Sequence, residues 1–414
     1  MISVRNRLPR LSGNRWLLFI TVALVAAACS PKLRPVAEQP KEPEKPVVKT
    51  QPAPIVKPAA PKVSTISLLL PFGLDHLAPG ESYSTVSLRE ADISLGYYRG
   101  FKMALDSLTA QGYNYKLQVY DTKGDKAQAH SLANNPLVRS SDLIVGPVFP
   151  DDLKAFTGNY ANAKQPIVSP LSPASPATYK NPEIITIMPP LEYHAWAAAR
   201  FINNKLNPDK VFILKSGFSD ENEYIIPFKK AIDSLSKKQV KVIMLTVIHG
   251  QLNSLIPQLS TTDKNVFIIP ATDQHFLTIT LRALDTLNSS YPVTVFGHPN
   301  WINYSFLNAE LLQRLDTHIT SAEHVNFKAP NTVNFIQVYR QTYHTEPTEY
   351  AIKGFDEGMY LGQLLGAGGL KDLTKMDFTG LHNSFQFQKK AGLGWINTHV
   401  DVYKYANFEL KKVE

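Results

Sequence analysis

The 414-residue chain contains a single cysteine, Cys29. One thiol makes no internal disulfide and no cysteine metal site, so stability must come from a packed core. Long hydrophobic runs are scarce as well. The most apolar stretch, Trp16 to Val25, falls short of the ~20 residues that a membrane-spanning helix needs. Excess charge of one sign is modest: 43 Lys and Arg stand against 35 Asp and Glu, a net +8. Arg5, Arg7, Arg10 and Arg15 supply half of that excess in a segment without acids. The remainder of the chain lacks the dense basic patch of a nucleic-acid binder, and no nucleic acid partner is expected. Signatures of catalysis are missing too. There is no Gly-x-Ser-x-Gly elbow, no Gly-x-x-x-x-Gly-Lys phosphate loop and no His-Glu-x-x-His. Gly366-Ala-Gly-Gly369 follows a helical pattern and reads as a helix stop, not a dinucleotide loop. Asp151-Asp152 suits a helix start better than acid–base work. The expectation is a non-enzyme without cofactor or metal.

What is present begins with an export signal. The basic segment, the apolar run and the small residues Ala26-Ala27-Ala28 precede Cys29, the layout of a cleaved secretory signal. A cysteine at that point resembles the bacterial lipobox, in which the thiol is lipidated and becomes the mature N-terminus. Ala26 departs from the Leu or Val more common there. A plain signal peptide or a short anchor is the competing reading. The lipobox resemblance implies residues 1–28 as signal peptide, Cys29 as the lipidation site, and a protein held to a membrane through its lipid anchor only. The location expected is the cell envelope, facing the periplasm, with the outer membrane favoured. Residues 29–62 form a linker; nine of the 33 residues after Cys29 are proline. Such a sequence buries too little apolar surface to offset its ordering entropy, so a disordered and extended tether is expected.

From Ser64 the pattern alternates between short apolar runs and helical periods. Ile66 to Phe72 reads as a buried strand, Arg89 to Gln111 as a long helix, Tyr115 to Tyr120 as a strand, then a helix to about Leu137. Asp142 to Val145 and Pro166 to Pro170 are further strands, with a short helix from Asp151 between them. The same cycle runs again from Leu191. Helices are expected at 194–206, 222–237, 252–259 and 275–288, and strands at 211–214, 240–247, 266–269 and 293–296. A strand near 318–325, helices at 331–343 and 351–365, and a strand-like tail over 378–410 close the chain. Repeated strand–helix units of this size predict an α/β fold with two lobes, each a parallel sheet flanked by helices.

The order of these segments resembles the type I periplasmic binding fold, the superfamily of leucine/isoleucine/valine-binding proteins. The resemblance covers about Ser64 to Leu410. It is carried by Ile66–Phe72, Gly96-Tyr-Tyr-Arg-Gly-Phe-Lys-Met-Ala104, Val119-Tyr-Asp-Thr122, Asp142-Leu-Ile-Val-Gly-Pro147, Gln165-Pro-Ile-Val-Ser-Pro170 and Tyr350-Ala-Ile-Lys-Gly-Phe-Asp356. It implies three crossings between lobes, near 188–190, 318–327 and 378. Lobe 1 would then comprise residues 63–189 and 318–377, and lobe 2 residues 190–317 and 378–414.

Ligands of open parallel sheets bind beyond the carboxyl ends of the strands. The candidate ligand-binding residues are therefore Phe149, Pro150, Ser169 and Ser172 in lobe 1, with Phe72 beside them. In lobe 2 they are Ser216, Thr272, Asp273, His298 and Trp301. Competing structural roles are a Pro-bounded turn for Ser169 and Ser172, a helix cap for Asp273 and a core position for Trp301. Pro150 and Pro173 depart from the amino-acid-binding members, which places their zwitterion clamp in doubt. Two functions follow from the resemblance. One is a solute-binding lipoprotein that captures a small polar ligand, amino acid or peptide-like, for an ABC permease. The other is an outer-membrane lipoprotein that regulates peptidoglycan synthesis through a penicillin-binding protein. Val119–Thr122 and Asp142–Pro147 also resemble the binding-protein-like domain of such activators. The complete closing-cleft architecture tips the sequence reading toward the first.

Overall fold

The computed structural model describes residues 62–74, 84–158, 164–376, 378–390 and 392–414. The signal segment, Cys29 and all but the last residue of the linker lie outside the described residues. The first strand, β1 (Ser64–Leu70), is buried on both faces and sits inside a seven-stranded sheet. Its companions are β2 (Tyr115–Asp121), β3 (Leu143–Val145), β4 (Ile167–Ser169) and β5 (Ile184–Thr186), all parallel, in the order β5-β4-β3-β1-β2. The second sheet repeats this order. There β6 (Lys210–Lys215), β7 (Lys241–Thr246), β8 (Asn265–Ile269), β9 (Val293–Gly297) and β10 (His318–Ser321) lie as β10-β9-β8-β6-β7. Each order reverses once, between β1 and β3 and between β6 and β8, and a doubly wound sheet opens a crevice at that point. The fold is α/β with two lobes, as the strand–helix alternation predicts.

The tail divides between the lobes. After the two-stranded ribbon β11 (Phe378–Thr379) and β12 (Ser384–Phe385), β13 (Phe387–Lys389) and β14 (Trp395–Asn397) join the first sheet, β14 lying parallel to β5. Then β15 (Asp401–Ala406) and β16 (Glu409–Lys412) extend the second sheet antiparallel to β10. Two sequence boundaries are therefore corrected. Residues 318–321 belong to lobe 2, and the chain stays with lobe 1 as far as Asn397. A period of two marks a strand but not the sheet it joins. The crossings run through residues 187–190, 322–329 and 398–400. The first is four residues long and spans at most about 14 Å. It joins the carboxyl end of β5 to the start of the helix preceding β6, so the carboxyl ends of both sheets face each other.

Ten α-helices are described: α1 (Thr85–Thr109), α2 (Lys126–Ala133), α3 (Pro136–Arg139), α4 (Pro150–Gly158), α5 (Leu191–Phe201), α6 (Asn222–Leu235), α7 (Gln274–Asn288), α8 (Ala309–Arg314), α9 (Pro330–Tyr343) and α10 (Glu349–Gly366). Helix α1 starts earlier than its apolar period suggests, because the Ser84 hydroxyl accepts from the Ser87 N–H and caps it. Asn135 and Pro136 split the predicted helix after β2 into α2 and α3. Residues 253–258 are a 3₁₀ segment, not an α-helix.

The tightest packing joins α1 to α10. A Cβ on Gly100 would overlap the carbonyl oxygen of Ala351, and one on Gly354 would overlap that of Tyr97. One on Gly358 would stand 2.7 Å from Ala104 Cβ. Glycines four apart on both helices let the two backbones touch. Beneath them Tyr97, Phe101, Leu105, Tyr360 and Leu361 fill the first core with Ile66, Leu68 and Val145. The second lobe has a core on each face of its sheet. One gathers Phe228, Ile232 and Phe296, the other Phe267, Leu281 and Trp301.

Candidate functional site

The facing strand ends bring the candidate residues to two opposed loop clusters. In lobe 1 the loop after β3 carries Phe149 and Pro150. It leaves the strand through Gly146, whose φ of +92° and close approach to the Leu69 carbonyl oxygen exclude a side chain. Phe149 is half-buried beside Gly124, and exposed Pro150 opens α4. Ser169 ends β4, and its buried hydroxyl lies next to the Tyr179 hydroxyl. The Ser172 hydroxyl accepts from the Ala174 N–H at 3.3 Å and shapes the turn that follows.

The lobe 2 candidates have mostly internal work. Ser216 donates through its backbone N–H (3.0 Å) and its hydroxyl (2.8 Å) to Glu221 Oε1, while the Gly217 N–H donates to Oε2 at 3.3 Å. Asp273 caps α7 by accepting from the Phe276 N–H at 2.7 Å. His298 Nδ1 accepts from the Asn300 N–H at 3.1 Å and caps a 3₁₀ turn. Trp301, proposed from sequence as a ligand-stacking residue, is only 1% exposed. Its indole N–H donates to the Ala271 carbonyl at 2.9 Å, and its ring lies on Gly297. It is a core residue whose ring and N–H are both satisfied within the lobe. Thr272 is half-buried in the loop between β8 and α7.

Sequence reasoning missed the buried groups behind these loops. His194, near the start of α5, hydrogen-bonds Thr320 Oγ1 at 3.2 Å. Its pKa falls to about 4, through burial first and the neighbouring His298 second. Burial depresses His298 to about 4 as well. Tyr224, its ring 6.2 Å from that of His298, is buried with an unpartnered hydroxyl, and burial pushes its pKa up. In lobe 1, buried Asp152 has a pKa of about 6, raised by burial and then by Asp125 and Asp151. A histidine three residues into the helix after the first crossing was the available signal for His194.

The crossings themselves are tied. Asn397 Nδ2 donates to the Ile187 carbonyl at 3.0 Å, linking the first and third. Asp356 on α10 accepts from the N–H groups of Leu381 (2.8 Å), His382 (2.8 Å) and Asn383 (3.1 Å). Asn383 in turn pairs with Glu323 of the second crossing, which binds Lys353 of α10 at 3.0 Å.

Two lobes with repeated doubly wound sheets, three short crossings and facing strand ends are the type I periplasmic binding architecture. The solved structures it resembles include members of both groups whose resemblance the sequence carries. One is a putative branched-chain amino acid ABC transporter protein from Rhodospirillum rubrum, 14% identical over 85% of this chain and 100% of that one, TM-score 0.61. Another is an ABC transporter substrate-binding protein from Desulfitobacterium hafniense in complex with Leu, 16% identical over 85% and 100%, TM-score 0.52. The third is the C-domain of LpoA (YraM) from Haemophilus influenzae, a regulator of PBP1A, 12% identical over 85% and 100%, TM-score 0.57. No protein-family model and no curated sequence matches the chain. At these identities the likeness establishes the fold. Among the described residues no helix is long and apolar enough to cross a membrane.

Proposed function

We propose that this protein is a non-enzymatic lipoprotein of the cell envelope whose two-lobed domain regulates a protein partner, a cell-wall synthase of the penicillin-binding class, as the LpoA C-domain does for PBP1A. The observation that carries this reading is the engagement of the strand-end polar groups. An α-amino acid needs a carboxylate for its ammonium and donors for its carboxylate. Glu221 holds three donors of its own loop, Asp273 caps α7, and Asp121 holds the N–H groups of Gly73, Leu74 and Lys123. A site whose acceptors are already bound to its own backbone is poorly suited to a zwitterion. The second reading, capture of a small polar solute for a permease, is favoured by the repeated doubly wound order of the two sheets, which opens a crevice for a small ligand at the carboxyl ends of the strands.

One pair of measurements separates the two. A small ligand held in the closed cleft stabilises by about 2.7 kcal/mol at a hundredfold excess over its Kd. A thermal-shift screen of amino acids and short peptides should therefore leave the melting temperature unchanged under the regulatory reading. A purified class A penicillin-binding protein should co-purify with the domain. An amino acid that raises the melt, with no synthase retained, would reverse the assignment. The tether is tested separately: Cys29→Ser should yield an unprocessed or soluble species. Membrane fractionation of that variant at the mature mass would defeat the anchor proposal.

A further inference from the structure

A groove of about 870 Å³ lies beside the crossings, and none of the nine cleft candidates lines it. Its floor is one face of the β15–β16 hairpin. Asp401, Tyr403 and Tyr405 alternate along β15, and Lys412 and Leu410 lie opposite the two tyrosines. The walls are loops 324–329 and 379–384. The charged groups of the lining are already paired within the protein. Asp401 binds Lys412 at 2.7 Å, and Lys328 binds Glu409 at 3.0 Å. The groove therefore offers no unpaired Asp, Glu or Lys to a charged ligand. What it offers is aromatic rings, side-chain amides and hydroxyls.

Two of the rings are unusually open. Phe327 is 63% exposed and Phe408 is 69% exposed. Phe408 is also costly where it stands. Ala406 pairs with Glu409, so Asn407 and Phe408 alone make the turn, with φ of +56° and +61°. A two-residue turn of this kind takes glycine at its second position, and a bulky residue there is strained. The exposed ring returns no packing for that strain, and strain of this sort gathers at functional positions.

We propose that this groove binds a neutral saccharide. A pyranose ring presents a flat C–H face that packs on an aromatic ring and an equatorial rim of hydroxyls. Phe408 and Phe327 would take the faces, and Asn326 and Asn331 the hydroxyls. The pairing of Asp401 with Lys412 and of Lys328 with Glu409 leaves little net charge in the groove, which favours a neutral ligand over a charged peptide. Strand addition is a weak alternative, because β16 is only four residues long. The inference is independent of the cleft and of the regulatory reading.

The test is calorimetric titration of the full chain with soluble β-1,4-linked tetramers of N-acetylglucosamine and of glucose. Saturable binding of at least one tetramer is expected. Phe408→Gly and Phe327→Ala should each weaken it at least about tenfold. Phe408→Gly should not lower the melting temperature, because glycine suits the turn. No saturable binding of either tetramer would overturn the proposal, and so would unchanged affinity in both variants.

Discussion

Gly100→Ala is expected to destabilise the first lobe by at least about 3 kcal/mol, near the upper end of ordinary overpacking costs. Overpacking is usually relieved by side chains that shift. Here the new methyl meets the carbonyl carbon and oxygen of Ala351 and the backbone nitrogen of Phe355. Relief requires α1 and α10 to separate, which opens the layer of Tyr97, Phe101 and Tyr360 beneath them. It also pulls on the buried bond from the Tyr97 hydroxyl to Glu357 Oε2, 2.7 Å long. Gly158→Ala is the control. That glycine closes α4, and a Cβ there meets nothing within 4 Å. Denaturant melts of both variants should show a large midpoint shift for Gly100→Ala and little for Gly158→Ala. Equal shifts would mean that contact between the two backbones is not what the glycines provide.

Acidification from pH 7 to pH 5 is expected to act on the two lobes with opposite sign. In lobe 2 His194, His298 and His318 are buried, and burial holds each pKa near 4. An unfolded histidine titrates near 6.5. The unfolded chain therefore takes up protons first, and the stability these groups provide above pH 6.5 is lost as pH falls toward 4. Each group contributes a loss on the order of 2 kcal/mol between pH 7 and pH 5. In lobe 1 the sign reverses. Burial raises Asp152 and Asp356 to about 6, so ionisation opposes folding above that pH and protonation relieves it. Each gains the lobe roughly 1 kcal/mol over the same interval. Hydrogen exchange, corrected for intrinsic rates, should therefore show protection falling in residues 191–321 at pH 5 while residues 64–187 hold theirs. His298→Asn keeps a capping side chain and removes one proton site, so it should flatten the lobe 2 response. A uniform loss across both lobes would count against these assignments.

The alternation of buried runs and helical periods was enough to expect two similar α/β lobes, because the inner parallel strands are short and buried on both faces while the edge strands β2 and β7 alternate. The assignment of the tail was not legible. Phe385-Gln-Phe387 and Val400-Asp-Val-Tyr alternate alike, yet they add to different sheets. What separates them is the crossing at 398–400, held by Asn397, and no local pattern encodes a long-range tie. The glycine spacing on α1 and α10 was visible in the chain but carried no sign of which helix would meet which. At the strand ends, position was readable and occupation was not. Ser216, Asp273 and His298 do stand at carboxyl ends, but a side chain's first partner is set by the loop that follows it. Trp301 shows the limit most clearly: a tryptophan beyond a strand is compatible with a stacking platform or a core plug, and Gly297 beneath it decides for the plug.

The contact between α1 and α10 also sets a timetable. Tyr97 and Glu357 are 260 residues apart in sequence. At ordinary rates of synthesis that interval lasts on the order of tens of seconds. Throughout it the glycine face of α1 has no helix to lie against, and β5 has no β14 beside it. The intervening lobe, by contrast, has five of its seven strands by Ser321. The lobe that begins first is thus the one that must wait, and the nascent chain carries an open apolar seam until its last hundred residues arrive.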